Sequence, residues 1–139
     1  MKNKFGAPED GIQYHKRVGV YGVIYNENEF TVAKVNDGYF LVGGGLEGEE
    51  SHHECLRREF LEEIGYTIEI CEYLGVNHEY HQSHRSKNHY ELIGHCYSVK
   101  LIDRIEQGEE DHKLVTLRDS EIDRMTLEYQ THVMMELVR

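Results

Sequence analysis

Residues 43–66 read GGGLEGEESHHECLRREFLEEIGY, and this stretch decides the fold. Gly43, Gly44 and Gly45 form a turn without side chains after a run of short strands. Ser51, with Glu54 three residues later, is a capping box and places a helix start near His52. Leu56, Phe60 and Ile64 recur every four residues and give that helix one apolar stripe. Gly65 stands where a left-handed residue ends a helix.

The acids of the helix are placed unusually. With about 100° per residue, Glu59, Glu62 and Glu63 share an arc of about 100° beside the apolar stripe. Glu59 and Glu63 are like charges one turn apart, which destabilises a helix, and only Arg58 offers an in-helix partner. Acidic helix faces are usually just solvated. Here the arc directly follows a glycine turn and a capped helix start, so a cation is the better explanation. Oxygen-only ligands select a hard ion such as Mg²⁺ or Mn²⁺. Bare backbone carbonyls of the glycine turn can add further oxygens. The literal Gly-x-Gly-x-x-Gly at Gly43, Gly45 and Gly48 does not make a dinucleotide fold. The helix begins too late, and Glu47, Glu49 and Glu50 would repel a pyrophosphate.

Working outward, Val18 to Tyr25 is a strand, Asn26-Glu27-Asn28 a turn, and Phe30 to Val35 a second strand. Asn36-Asp37-Gly38 is a hairpin turn, followed by a third strand from Tyr39 to Val42. After the helix, Tyr66 to Leu74 and Tyr90 to Leu101 alternate as half-buried strands. The polar segment from His78 to His89 reads as a long loop, Leu114 to Leu117 as a short strand, and Leu127 to Val138 as a closing helix. This order is α+β, a mixed sheet packed between two helices. Residues 1–139 are expected to form one domain, with 1–16 partly flexible or an extra edge strand.

Composition narrows the function. The net charge of −11, from 26 acids and 15 bases, argues against binding nucleic acid polymers. Small phosphorylated ligands stay open, because divalent ions bridge carboxylate to phosphate. No apolar run reaches the ~20 residues of a membrane helix, and no secretory signal is visible. Cys55, Cys71 and Cys96 form no paired motif, so reduced thiols and a cytoplasmic location are expected.

Residues 44–66 resemble the Nudix box, G-x5-E-x7-R-E-U-x-E-E-x-G-U with U a bulky apolar residue. Gly44, Glu50, Arg58, Glu59, Phe60, Glu62, Glu63 and Gly65 match its fixed positions, and Tyr66 fills the last U place. The resemblance, to MutT-like Nudix hydrolases, implies an α/β/α sandwich with the box helix and the C-terminal helix on opposite sides of the mixed sheet. It also implies Mg²⁺- or Mn²⁺-dependent hydrolysis of a pyrophosphate bond in a nucleoside diphosphate linked to a group X, in the manner of a housecleaning enzyme. By the same resemblance Glu59, Glu62 and Glu63 are metal ligands, Arg58 orients Glu59, a carbonyl of Gly43 or Gly44 completes coordination, and Glu50 adds a ligand or a contact behind it. In such enzymes the base or an extra ligand comes from a later loop, which points to Glu109, Glu110 and Asp111. A homodimer is also in keeping with the family. The alternative is a non-catalytic module of the same fold that senses a nucleotide or a metal.

On the substrate side, Arg85 and Lys87 are the basic pair of the His-rich stretch, placed to reach phosphates, and Tyr80 and Tyr90 flank it as base-stacking candidates. His78, His81, His84 and His89 lack acids or cysteines at regular ligand spacing and read as solvated.

Overall fold

The computed structural model describes residues 3–83 and 86–138. The elements are β1 (Lys4–Phe5), β2 (Tyr14–Asn26), β3 (Glu29–Val35), β4 (Gly38–Phe40), β5 (Val42–Gly45), α1 (His52–Ile64), β6 (Tyr66–Gln82), β7 (His89–Arg104), β8 (His112–Arg118), a 3₁₀ turn at Asp119–Arg124, and α2 (Glu128–Val138). The strands follow the path β1-β6-β7-β2-β3-β4, with β5 pairing β2 and β8 pairing β3. Parallel β2–β7 and β1–β6 pairs stand among antiparallel ones, so the sheet is mixed, as expected of an α+β chain.

α1 begins and ends where its residues require. Ser51 Oγ accepts from the Glu54 N–H at 3.1 Å, and Glu54 Oε1 accepts from the Ser51 N–H at 2.8 Å. Gly65 closes the helix at φ 74°, a left-handed conformation that costs glycine no steric penalty. The stripe of Leu56, Phe60 and Ile64 is buried, and each such side chain contributes about 1.5–3 kcal/mol by leaving water.

Strand alternation sends side chains to two cores. Val20, Val42 and Val99 pack toward α1, while Val23, Leu41 and Cys96 pack toward α2. The start of α2 is held from β6: buried Glu79 accepts the Tyr129 N–H at 2.8 Å. Burial pushes the Glu79 carboxyl up, and backbone N–H bonds from Tyr129 and Glu128 pull it back.

Several boundaries differ from the sequence reading. The stretch from His78 to His89 is not a long loop, because β6 runs on to Gln82 and β7 starts at His89. The histidines and acids there alternate across a long two-stranded ribbon in which Tyr80 pairs Glu91 and His78 pairs Ile93. Its polar faces resemble a loop in composition only. The expected third strand is two strands, β4 on β3 and β5 on β2, separated at Leu41, whose N–H donates to Gln130 Oε1 at 2.9 Å. β2 starts earlier than expected, at Tyr14, and Lys4–Phe5 adds a parallel edge strand beside His78 and Glu79. Among the described residues no helix is long and apolar enough to cross a membrane. Cys55, Cys71 and Cys96 are all free thiols.

Candidate active site

β5 pairs antiparallel with β2 and then turns into α1, so its glycines lie against the helix face that carries the acids. Gly44 leaves the space that Glu59 occupies: a Cβ on Gly44 would lie 2.6 Å from the Glu59 carboxyl carbon. The Gly43 N–H donates to Glu63 Oε1 at 3.2 Å. Two carboxylates one helical turn apart are thereby pressed toward one bare strand edge.

Their ionisation shows the strain of that arrangement. Burial pushes Glu63 up to about 8, the Glu59 charge adds to it, and the Gly43 N–H opposes it. Burial also raises Glu59, against the lowering pull of the Arg58 guanidinium.

Arg58 organises the remaining acids. It donates through Nε and Nη2 to Glu50 at 3.0 and 2.6 Å, and through Nη1 to Glu59 at 2.9 Å and Glu62 at 3.2 Å. Nη2 also donates to the Gly45 carbonyl at 3.0 Å. The fork holds the Glu50 carboxyl down at about 2. Glu62 lies on the outer side, its side chain 55% exposed, while Glu59 is only 13% exposed.

Glu63 is met from the other side by β8. His112 Nε2 lies 3.6 Å from Glu63 Oε2, and its Nδ1 lies 3.0 Å from Asp111 Oδ1 and 3.4 Å from Glu109 Oε2. The turn carrying these residues is docked on the end of α1 by the Glu109 N–H, which donates to the Glu63 carbonyl at 2.9 Å. Among the described residues, Glu109, Asp111 and His112 are the one group of three His, Cys, Asp or Glu with ligand atoms within 4.8 Å of each other. His112 was absent from the sequence reading. Its signal was a histidine opening an alternating strand directly after three acids. Glu110 is exposed on the same turn.

The donor set fits a hard divalent ion: carboxylate and carbonyl oxygens, two of the carboxylates poorly solvated and mutually repelling. Beside Glu63 opens a cavity of about 240 Å³, whose walls include Tyr21, Phe40, Leu41, Gly43 and Gln130.

The substrate-side candidates lie on β6, on β7 and in the turn between them. Tyr80 packs edge-on against Tyr14 at 5.1 Å, and Tyr90 lies under the Arg17 guanidinium, 5.5 Å from its ring centroid. Lys87 sits in the ribbon's turn at φ 64°, its N–H donating to the Ser83 carbonyl. Arg85 and His84 lie outside the described residues. The structure thus joins the helix acids, the glycines, Glu109 and His112, with Tyr80 in β6 and Lys87 in the turn of the ribbon.

A family model described as NUDIX domain matches residues 14–133. No protein of curated function matches the chain. Similar solved structures include a MutT NUDIX hydrolase from Burkholderia pseudomallei, 17% identical, with a TM-score of 0.72 over 88% of this chain and 98% of that one. An ADP-ribose pyrophosphatase from Streptococcus suis is 14% identical, with a TM-score of 0.65 over 88% of this chain and 92% of that one. A UDP-X diphosphatase is 17% identical, with a TM-score of 0.67 over 92% of this chain and 65% of that one.

Proposed function

The chain belongs to the Nudix hydrolase family, and on that premise we propose that it cleaves the pyrophosphate bond of a nucleoside diphosphate linked to X, using Mg²⁺ or Mn²⁺. One observation carries this reading: Glu59 and Glu63 are pressed together against Gly43 and Gly44, a charge arrangement that a bound divalent cation relieves at a pH where a retained proton otherwise must. A module that merely keeps its fold has no use for carboxylates held at that cost.

Glu59, Glu63 and Glu62 would hold the ion, with a carbonyl of Gly43 or Gly44 beside them. A bound divalent ion neutralises a diphosphate and lowers the pKa of its water. Glu50 acts through Arg58, whose fork it fills, and Arg58 fixes the position of Glu59. Glu109, next to His112 at the inner end of the docked turn, is the group we assign to take the proton from the attacking water. The cavity beside Glu63 suits one end of the nucleotide, having an apolar wall and the Gln130 amide. Two of the structural neighbours are named for nucleoside diphosphate derivatives, ADP-ribose and UDP-X, which supports that substrate class. A cytoplasmic place of action belongs to the same proposal and is supported by the three free thiols.

The test is incubation with a panel of nucleoside triphosphates and nucleoside diphosphate derivatives plus Mg²⁺ or Mn²⁺, with release of phosphate, pyrophosphate or nucleoside monophosphate as the readout. Turnover that falls at least about 100-fold in Glu59→Gln is expected, the scale of a lost positioned group at a reacting centre. Tight binding of one nucleotide without turnover of any would establish the sensing module instead.

A further inference from the structure

Arg58 has no donor to spare for a substrate, since it already serves Glu50, Glu59, Glu62 and the Gly45 carbonyl. A second arginine stands on the opposite flank of the glycine strand. Arg17 in β2 is exposed, and among the described residues no carboxylate pairs with it. Its guanidinium rests over the Tyr90 ring, 5.5 Å from the centroid.

Register places Arg17 two residues from Gly19, the partner of Gly45, on the sheet face that packs toward α2. A substrate held by the α1 acids would reach it around the β5 edge. Gly19 pairs with Gly45 on one side and with Gly94 on the other, and Arg17 and Tyr21 flank Gly19 on the same face of β2. The Tyr21 hydroxyl lies over Gly19, 2.7 Å from where a Cβ would stand, and the Gly44 carbonyl oxygen lies 2.9 Å from the same point. Burial pushes the Tyr21 phenol up to about 12, Arg17 pulls it down, and Glu63 and Glu59 push it up. The surface at Gly45 is open: a Cβ there would meet only the Val18 carbonyl, at 3.8 Å.

Resting on the reaction proposed above, we infer that Arg17 binds the outer end of the substrate across the open backbone at Gly45, and that it selects an X that is itself a phosphate over a neutral X. A planar, permanently charged fork that no carboxylate occupies among the described residues matches phosphate oxygens and has nothing to match in an uncharged sugar.

The test compares ATP, whose X is a phosphate, with ADP-ribose, whose X is a neutral sugar, and with ADP, which has no X. Binding is measured by calorimetry with Ca²⁺ as the oxygen-seeking ion, and kcat and KM for ATP with Mg²⁺. The unaltered protein is expected to bind ATP about tenfold tighter than either ADP-ribose or ADP, the scale of one charge-assisted contact. Arg17→Gln should erase that preference and raise KM with kcat within about twofold, and Arg17→Lys should restore part of it, which a loss of packing would not do. Gly45→Ala should weaken ATP severalfold without lowering the melting temperature, because the methyl group occupies only open space. No preference for ATP in the unaltered protein, an equal loss for ATP and ADP in Arg17→Gln, or undiminished ATP binding in Gly45→Ala overturns the inference. The two proposals fail separately. If no nucleotide is hydrolysed but Arg17→Gln abolishes the ATP preference, the reaction falls and Arg17 keeps its role. If ATP is hydrolysed with an unchanged KM in Arg17→Gln, the reverse holds.

Discussion

The Glu59 carboxylate lies directly on the bare Cα of Gly44, within 2.6 Å of where a side chain would begin. Gly44 is not held at positive φ, so alanine is compatible with its backbone. The Gly44→Ala protein should therefore stay folded and lose activity, because the methyl group displaces Glu59. A loss of about 100-fold in kcat is expected from a displacement near 1 Å. Rate assays alongside thermal melting check this, and wild-type kcat would refute it.

Arg58 reaches three carboxylates and one carbonyl through a planar fork that lysine does not reproduce. Arg58→Lys should keep the charge yet lower kcat/KM by at least about tenfold, as Glu50 and Glu59 lose their directed bonds. The melting temperature should fall by about 5 °C. A protein with unaltered kinetics would show that point charge alone suffices.

The carboxylate pair makes the metal-free protein sensitive to alkali. Glu63 is raised to about 8 from 4.5, so above pH 4.5 the folded state holds a proton that the unfolded state has released. Stability therefore falls as pH rises from 4.5 to about 8 and levels off beyond it. Glu79, raised by burial, adds a slope of the same sign at the start of α2. Urea titrations in chelator should show this decline, reduced in Glu63→Gln, with Glu59 and Glu79, both raised by burial, supplying what remains. A wild-type stability independent of pH over that window would contradict the assignment.

Glu109 and Glu110 are neighbours with different surroundings. Both are exposed, but the Glu109 carboxylate lies 3.4 Å from His112 Nδ1 and its backbone N–H donates to the Glu63 carbonyl. Glu109→Gln should lower kcat by about 100-fold or more, the range of general base catalysis. Glu110→Gln should stay within about twofold of wild type. Parallel kcat measurements on the two variants decide it, and the reverse ranking would move the base to Glu110.

The helix of the site was legible because its signals are local. Ser51, Glu54 and Gly65 set its ends through bonds to residues within one turn, and the acids could be counted onto one face. The site's opposite wall was not legible. His112 gains its meaning from Glu63, and that pairing exists only once β8 lies along β3 and its preceding turn docks on α1. Composition also misled over residues 78–89. A ribbon that buries a carboxylate such as Glu79 and leaves its other polar side chains partly exposed shows no apolar alternation, so its backbone pairing left no trace in hydropathy. Arg17 was overlooked for a related reason: an arginine among strand residues looks solvated until its register beside Gly19 and Gly45 is known.

The Glu79 carboxylate that receives the first amides of α2 belongs to a strand some fifty residues upstream. The closing helix consequently has an anchor that does not exist until the β6–β7 hairpin has assembled. It should be the last element to consolidate and the first to open to hydrogen exchange. Because Gln130 on that helix also holds Leu41 at the cavity wall, such opening would unlatch one side of the nucleotide seat while leaving the carboxylates on α1 in place.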